Sequence, residues 1–170
     1  QVGQLKSGQS IFDQCCGTGR LAIDLASSHP VIGVDLIEEY ITLANQKAKA
    51  KNIELALYCD DAFTFTTPQP VDVAINWWTS FGYASSDEKN LQMILRAAES
   101  LKRGGFYALD FMNVPGLFKH FEKDVVLHKK QGDKEITLIR QSRIDFKRNT
   151  LIKDWIYYLT NGEKITHQSE

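Results

Sequence analysis

The chain has 170 residues, 43% of them hydrophobic and 24% charged, the mix of one globular domain. Twenty basic residues stand against twenty-one acidic ones, a net charge of −1, which gives no support for a nucleic-acid or anionic-membrane footprint. No run is long and apolar enough to span a bilayer, and Cys15, Cys16 and Cys59 have neither the spacing of a metal site nor that of a disulfide framework, so a reducing, cytoplasmic setting is expected.

Residues 10–14 read as a short buried strand, Gly17-Thr18-Gly19 as a turn, and 20–28 as a helix with Leu21, Ala22, Leu25 and Ala26 on one face. Residues 31–35 read as a second buried strand. A helix is predicted over 38–51, where Ile37, Ile41, Ala44 and Ala48 recur at helical spacing. Glu38 and Glu39 sit at its positive end, and Lys47, Lys49 and Lys51 at its negative end. Strands follow at 53–58 and 71–76. Ser85-Ser86-Asp87-Glu88 resembles a capping box before a helix whose apolar face is Leu91, Ile94, Leu95, Ala98 and Leu101. Gly104-Gly105 is read as its stop, and 106–111 as a fifth strand. This alternation predicts an α/β fold, a Rossmann-like and mostly parallel sheet with helices on both faces.

The last third changes character. Residues 124–131, 135–146 and 150–160 are β-type stretches, punctuated by Gly132-Asp133, Arg148-Asn149 and Asn161-Gly162, the last a hairpin-turn signal. An antiparallel β meander is predicted. The chain is thus expected to divide into a nucleoside-binding core, 1–112, and an inserted β region of the same domain, 113–170.

Asp13-Gln14-Cys15-Cys16-Gly17-Thr18-Gly19 follows a strand and opens a helix. Glycines let backbone approach a ligand closely, and free N–H groups at a helix start favour polar or anionic atoms. Asp35 ends the second strand, where a carboxylate accepts hydrogen bonds from ribose hydroxyls. A nucleoside-containing cofactor is implied, but the spacing Gly17-x-Gly19-x-x-Ala22 also satisfies the dinucleotide fingerprint. Against a dinucleotide, Asp13 would repel a pyrophosphate but receive an ammonium group, and Asp61 after the third strand suits an adenine amino group. No tyrosine has a lysine four residues later, so one common dehydrogenase dyad is absent.

With these residues in view, the chain resembles the class I S-adenosylmethionine-dependent methyltransferases. Residues 11–19 resemble their first motif, 31–35 their ribose-binding strand, Asp61-Ala62 their adenine motif, and Leu101-Lys102-Arg103-Gly104-Gly105 the turn before their fifth strand. Residues 78–83 and the late antiparallel strands are similar to the glycine and amino-sugar N-methyltransferase branch, where the β insertion covers the substrate site. The resemblance implies S-adenosyl-L-methionine as cofactor. Asp13 and the Cys15, Gly17, Thr18 and Gly19 backbone would flank its methionine part. Asp35 would bind the ribose, and Leu36 would pack on the adenine. Asp61 and the Ala62 N–H would read the adenine edge, and the Asn76 and Trp77 carbonyls would meet the amino group. The first-motif glycine is Cys15 here, and a turn proline is Arg103. Against the family, a helical lid is expected before Gln1, and a last helix and strand pair after Glu170.

Methyl transfer needs alignment and exclusion of water more than acid–base help. Tyr83, in a glycine-containing loop after the fourth strand, is a candidate on the acceptor side. Asp110, ending the fifth strand, is a candidate substrate anchor or base. Cys15 and Cys16 lie near a helix start, where thiols can be reactive, but a redox function is not expected of them. The partner implied is a small-molecule methyl acceptor at N or O. A non-catalytic S-adenosylmethionine-binding module and an NAD-dependent oxidoreductase are the alternatives.

Overall fold

The computed structural model describes residues 5–169 and divides into two compact units, one ending at Met112 and the other beginning at Asn113. The first unit is a parallel sheet of β1 (Ile11–Gln14), β2 (Val31–Asp35), β3 (Ala56–Cys59), β4 (Val71–Asn76) and β5 (Leu101–Leu109), in the order β3-β2-β1-β4-β5. Helices α1 (Arg20–Leu25), α2 (Glu38–Ala50) and α3 (Asp87–Glu99) connect the strands. The chain moves outward from β1 to β3, then returns across β1 to β4. That reversal makes the boundary between β1 and β4 the switch point of the sheet, and the carboxyl ends there are the position where α/β sheets take ligands.

The sheet forms because its strands are apolar on both sides, as parallel strands covered by helices must be. All four residues of β1 are buried. Ile11 joins Ala22, Val31, Ile41, Val73 and Ile75 in one apolar cluster. Phe12 joins Val34, Phe65, Ala74, Met93 and Ala97 in another. Helix α2 buries Ile41, Ala44 and Ala48 as its periodicity predicts, with Glu38 and Glu39 in its first turn and Lys47 and Lys49 in its last.

Three local readings differ from the structure. Helix α3 is capped by Ser86, whose side chain accepts the Lys89 N–H, so the Ser85-to-Glu88 box does not form. The buried face of α3 is Asn90, Met93 and Ala97, while Leu91 and Leu95 are exposed. Asn90 takes the inward position because its Oδ1 accepts the Ala84 N–H, giving a polar side chain a partner inside. Gly104-Gly105 does not stop a helix. Strand β5 already begins at Leu101, paired with Val71, and pairs next through Phe106 with Val73, so the residues between bulge out. Gly104 at φ 84° makes the bulge possible, and at Gly105 a Cβ would lie 2.8 Å from the Asp72 carbonyl oxygen.

The second unit is an antiparallel sheet in the order β6-β7-β8-β9: β6 (Asp124–Gln131), β7 (Lys134–Asp145), β8 (Thr150–Leu159) and β9 (Lys164–Ser169). It is preceded by α4 (Val114–Lys119), which the sequence reading missed. Six residues are too few for a periodic signal, and the marker lies in the cap: the Asn113 side chain accepts the Gly116 N–H, with Pro115 in the first turn. No helix among the described residues is long and apolar enough to cross a membrane.

Gly33 in β2 has no room for a side chain. A Cβ there would lie 2.8 Å from Leu57 Cδ2 and 3.0 Å from Cys16 Sγ. Gly33→Ala is expected to cost about 1–3 kcal/mol through overpacking, read as a lower urea midpoint with an unaltered slope. An unchanged midpoint would show that Leu57 and Cys16 give way freely.

Candidate cofactor and substrate site

The loop after β1 turns sharply because alternate residues take left-handed backbone: Cys15 at φ 63°, Gly17 at 54° and Gly19 at 71°. At Gly19 the requirement is also steric, since a Cβ would lie 2.9 Å from Ala44 Cβ on α2. At Gly17 a Cβ would meet nothing within 4 Å, so this part of the loop faces open space. Thr18 turns its carbonyl toward Lys47 Nζ at 3.4 Å. Cys15 adopts the same conformation with a side chain attached, at a cost of about 1–2 kcal/mol.

Asp35 organises this loop. Its Oδ2 accepts the Gly17 N–H at 2.8 Å, and its Oδ1 accepts the Ile37 N–H at 3.0 Å. The carboxylate is only half-buried, and each oxygen keeps a lone pair for a further donor. Leu36 beside it is 68% exposed, an apolar side chain facing outward directly after a core strand.

Asp13 stands at the carboxyl end of β1 and is 3% exposed. Burial raises its pKa to about 7. The nearby Asp35 charge adds to the rise, and the Ala22 backbone N–H opposes it. Asp13 thus serves the start of α1, whose own N-cap, Gly19, has no side chain to offer. The other oxygen, Oδ2, is buried with no hydrogen-bond partner. A buried acceptor left unpaired costs about 1–3 kcal/mol, and an ammonium group at that atom would remove the cost.

Asp61 Oδ1 accepts the Phe63 N–H at 2.9 Å in a local Asx turn, leaving Oδ2 available. Ala62 is buried, and its carbonyl accepts from Gln14 Nε2 at 3.4 Å. The Asn76 carbonyl accepts the Asp110 N–H at 2.9 Å, and the Trp77 carbonyl accepts the Ser80 hydroxyl at 3.5 Å, so both already hold protein partners. Asp110 Oδ2 accepts the Trp78 N–H at 3.2 Å, an anchor for the loop after β4. Tyr83 lies on that loop, 62% exposed.

Sequence reasoning overlooked Gln14. Its amide, fully buried, donates to the Met93 carbonyl at 2.9 Å, while its Oε1 accepts from Asn76 Nδ2 at 3.3 Å and Tyr107 Oη at 3.1 Å. The signal was a glutamine closing an otherwise buried strand, where an amide must find partners. Arg20 was overlooked too, and its guanidinium lies 4.9 Å from the Trp78 ring centre.

Cys15 and Cys16 are not placed as reactive thiols. Burial pushes the Cys15 thiol up to about 12, and raises Cys16 further, with the charges of Asp13 and Asp35 adding to both. Short α1 does not compensate, because two carboxylates sit beside its start. Only Cys59 is exposed.

Residues 11–105 of the chain match the methyltransferase domain family, and the chain belongs to that family. A protein of Geobacillus sp. (strain WCH70), named "Putative methyltransferase", is 28% identical over 137 residues, covering 79% of this chain and 53% of its own. "Putative methyltransferase YqeM" of Bacillus subtilis (strain 168) is 27% identical over 154 residues, covering 90% and 61%. The chain therefore spans between half and two thirds of these relatives. Among solved structures, the sugar N-methyltransferase KedS8 from Streptoalloteichus sp. has the same fold, with a TM-score of 0.79 at 20% identity, over 96% of this chain and 65% of that one.

Two measurements bear on the site directly. An acid whose pKa is raised by folding keeps its proton where the unfolded chain has lost it. Stability therefore falls as the pH rises from about 4 to about 7, by an amount on the order of 4 kcal/mol for the shift at Asp13. Asp13→Asn should abolish that component, so that the variant gains on the wild type across this window and is the more stable above pH 7. Parallel stability–pH curves would refute it. Second, with a pKa of about 12, Cys15 is thiolate in only about one molecule in 10⁴ at pH 8. Ellman's reagent should titrate one thiol quickly in the native protein and three in denaturant.

Proposed function

We propose that the chain binds S-adenosyl-L-methionine at the carboxyl ends of β1 and β2 and transfers its methyl group to a nitrogen or oxygen of a small-molecule acceptor. One observation carries this: a buried carboxylate oxygen of Asp13 without a partner, beside a backbone loop held by Asp35 and open at Gly17. That pairing suits a cofactor with an ammonium group and a ribose, and disfavours one with a pyrophosphate. When bound, the cofactor supplies a methyl group on a sulfonium, already activated toward displacement.

The residues have correspondingly modest tasks. Asp13 Oδ2 accepts from the ammonium. The Asp35 lone pairs not used by Gly17 and Ile37 accept from ribose hydroxyls. Leu36 covers an apolar ring, and Asp61 Oδ2 is the acceptor for an exocyclic amine. The Asn76 carbonyl accepts the Asp110 N–H and keeps a second lone pair for the amino group, while its side chain joins the Gln14 network. Asp110 positions the loop after β4 through the Trp78 N–H, and Tyr83 on that loop orients the acceptor. Alignment and exclusion of water provide the rate enhancement. Residues 113–170 contribute acceptor recognition, and three free thiols suit the reducing cytoplasm.

Calorimetric titration tests the reading. S-adenosylmethionine should bind at micromolar Kd, NAD should give no heat of binding, and Asp35→Ala should weaken S-adenosylmethionine at least tenfold. Binding of NAD in its place, or binding of S-adenosylmethionine unaffected by Asp35→Ala, would overturn it.

A further inference from the structure

The β6–β9 sheet carries its charges unequally. Cross-strand partners share a face and successive residues alternate, so the register defines two faces. One face holds Asp124, Glu135, Asp145 and Asp154. There Arg143 forms an ion pair with Asp154, and Gln141 donates to Asp124 at 3.0 Å. On the opposite face, from the Ser142–Lys153 row to the Leu127–Leu138 row, none of the described residues paired in the sheet is acidic.

Arg140 and Lys153 lie on that second face, diagonally across β7 and β8, with Trp155 opposite Arg140 and His167 opposite Trp155. Arg140 Nε is buried and has no hydrogen-bond partner. Its guanidinium lies 5.9 Å from the Trp155 ring centre, and the Trp155 Nε1–H donates to Ser169 Oγ at 3.2 Å, which fixes the ring as a platform. Burial, with the Arg140 charge, holds the Lys153 ammonium below its ordinary range. Two partly buried cations that face each other's field without a carboxylate are costly unless an anion joins them. Arg offers a planar fork for two oxygens, and Lys a point charge beside it.

We propose that Arg140 and Lys153 form a binding site for an oxyanion, a phosphate or carboxylate carried by a small molecule. The site belongs to the second unit by itself, and the ligand class is a small anionic metabolite.

The test uses the full chain at constant ionic strength, titrated with inorganic phosphate and separately with acetate, followed by amide NMR shifts. Saturable binding of either is expected, and which one saturates identifies the source. Arg140→Gln and Lys153→Gln should each weaken it at least fivefold. Lys130→Gln, on the acidic face, should leave it unchanged. Arg140→Lys, which keeps charge but not the fork, should bind at an intermediate level and covers the case in which Arg140→Gln fails to fold. No saturation by either anion, or equal weakening by Lys130→Gln, would overturn the proposal. Neither result touches S-adenosylmethionine binding, so failure here and failure of the cofactor reading are separately visible.

Discussion

The hydrogen bond from the Gly17 N–H to Asp35 is the interaction on which the site depends. The loop after β1 contains three left-handed residues within five positions and would not hold that course unaided. Asp35 lies at the end of the neighbouring strand, and the β1–β2 register, with Gln14 opposite Val34, brings its carboxylate under the loop. A second bond, from the Ile37 N–H, fixes the carboxylate in turn. Sheet register, loop course and the position of the Asp35 carboxylate are therefore one coupled arrangement. Removing the carboxylate would release the loop from β2.

On the other side of β1 the problem is different. Gln14 and Asn76 are fully buried, in the interior where an unpaired amide costs about 1–3 kcal/mol. They share the cost by pairing with each other, with Tyr107 and with the Met93 carbonyl. The network ties β1, β4, β5 and α3 together directly beneath the carboxyl ends of the strands. Its Tyr107 hydroxyl is kept neutral, because burial and the neighbouring Cys15 push the phenol above its usual range. One acceptor, Asn76 Oδ1, is still without a partner. Among the described residues of the first unit, the two buried side-chain oxygens without a partner, this one and Asp13 Oδ2, thus belong to adjacent strands at the switch point.

Much of this was legible in the sequence, for physical reasons that differ by element. Strands β2 and β4 were read to the residue because short runs rich in β-branched residues, each ending on a polar one, leave little choice. Helix α2 was legible from period and charge together. Helix α3 was placed one face wrong because an interior asparagine defeats a rule that counts only apolar residues. The bulge at Gly104 was misread because glycine marks a break in either helix or strand, and only pairing with β4 decides which. In the site, the positions of Asp13 and Asp35 at strand ends could be inferred from spacing. That Asp110 anchors a loop, or that Gln14 closes a network, depends on partners 32 and 62 residues away in sequence, which no local pattern encodes.

The distribution of backbone strain argues for the same location independently of any motif. Five non-glycine residues among those described have positive φ: Cys15, Asn52, Trp78, Thr79 and Asn149. The two asparagines are in turns, where that residue tolerates the conformation. The other three are a cysteine, a tryptophan and a β-branched threonine, types for which it costs about 1–3 kcal/mol each. All three follow directly on β1 or β4, the two strands that flank the reversal in strand order. Each is held by specific contacts: Cys15 by Asn76 Nδ2 at 3.9 Å from its sulfur, Trp78 by Asp110 and Arg20, and Thr79 by its hydroxyl on the Trp78 carbonyl. A fold that needed only connections at these points would relieve the strain with glycine. Strain kept and braced at the carboxyl ends of β1 and β4 holds the side chains there at fixed angles, the pre-organisation that the proposed cofactor reading calls for.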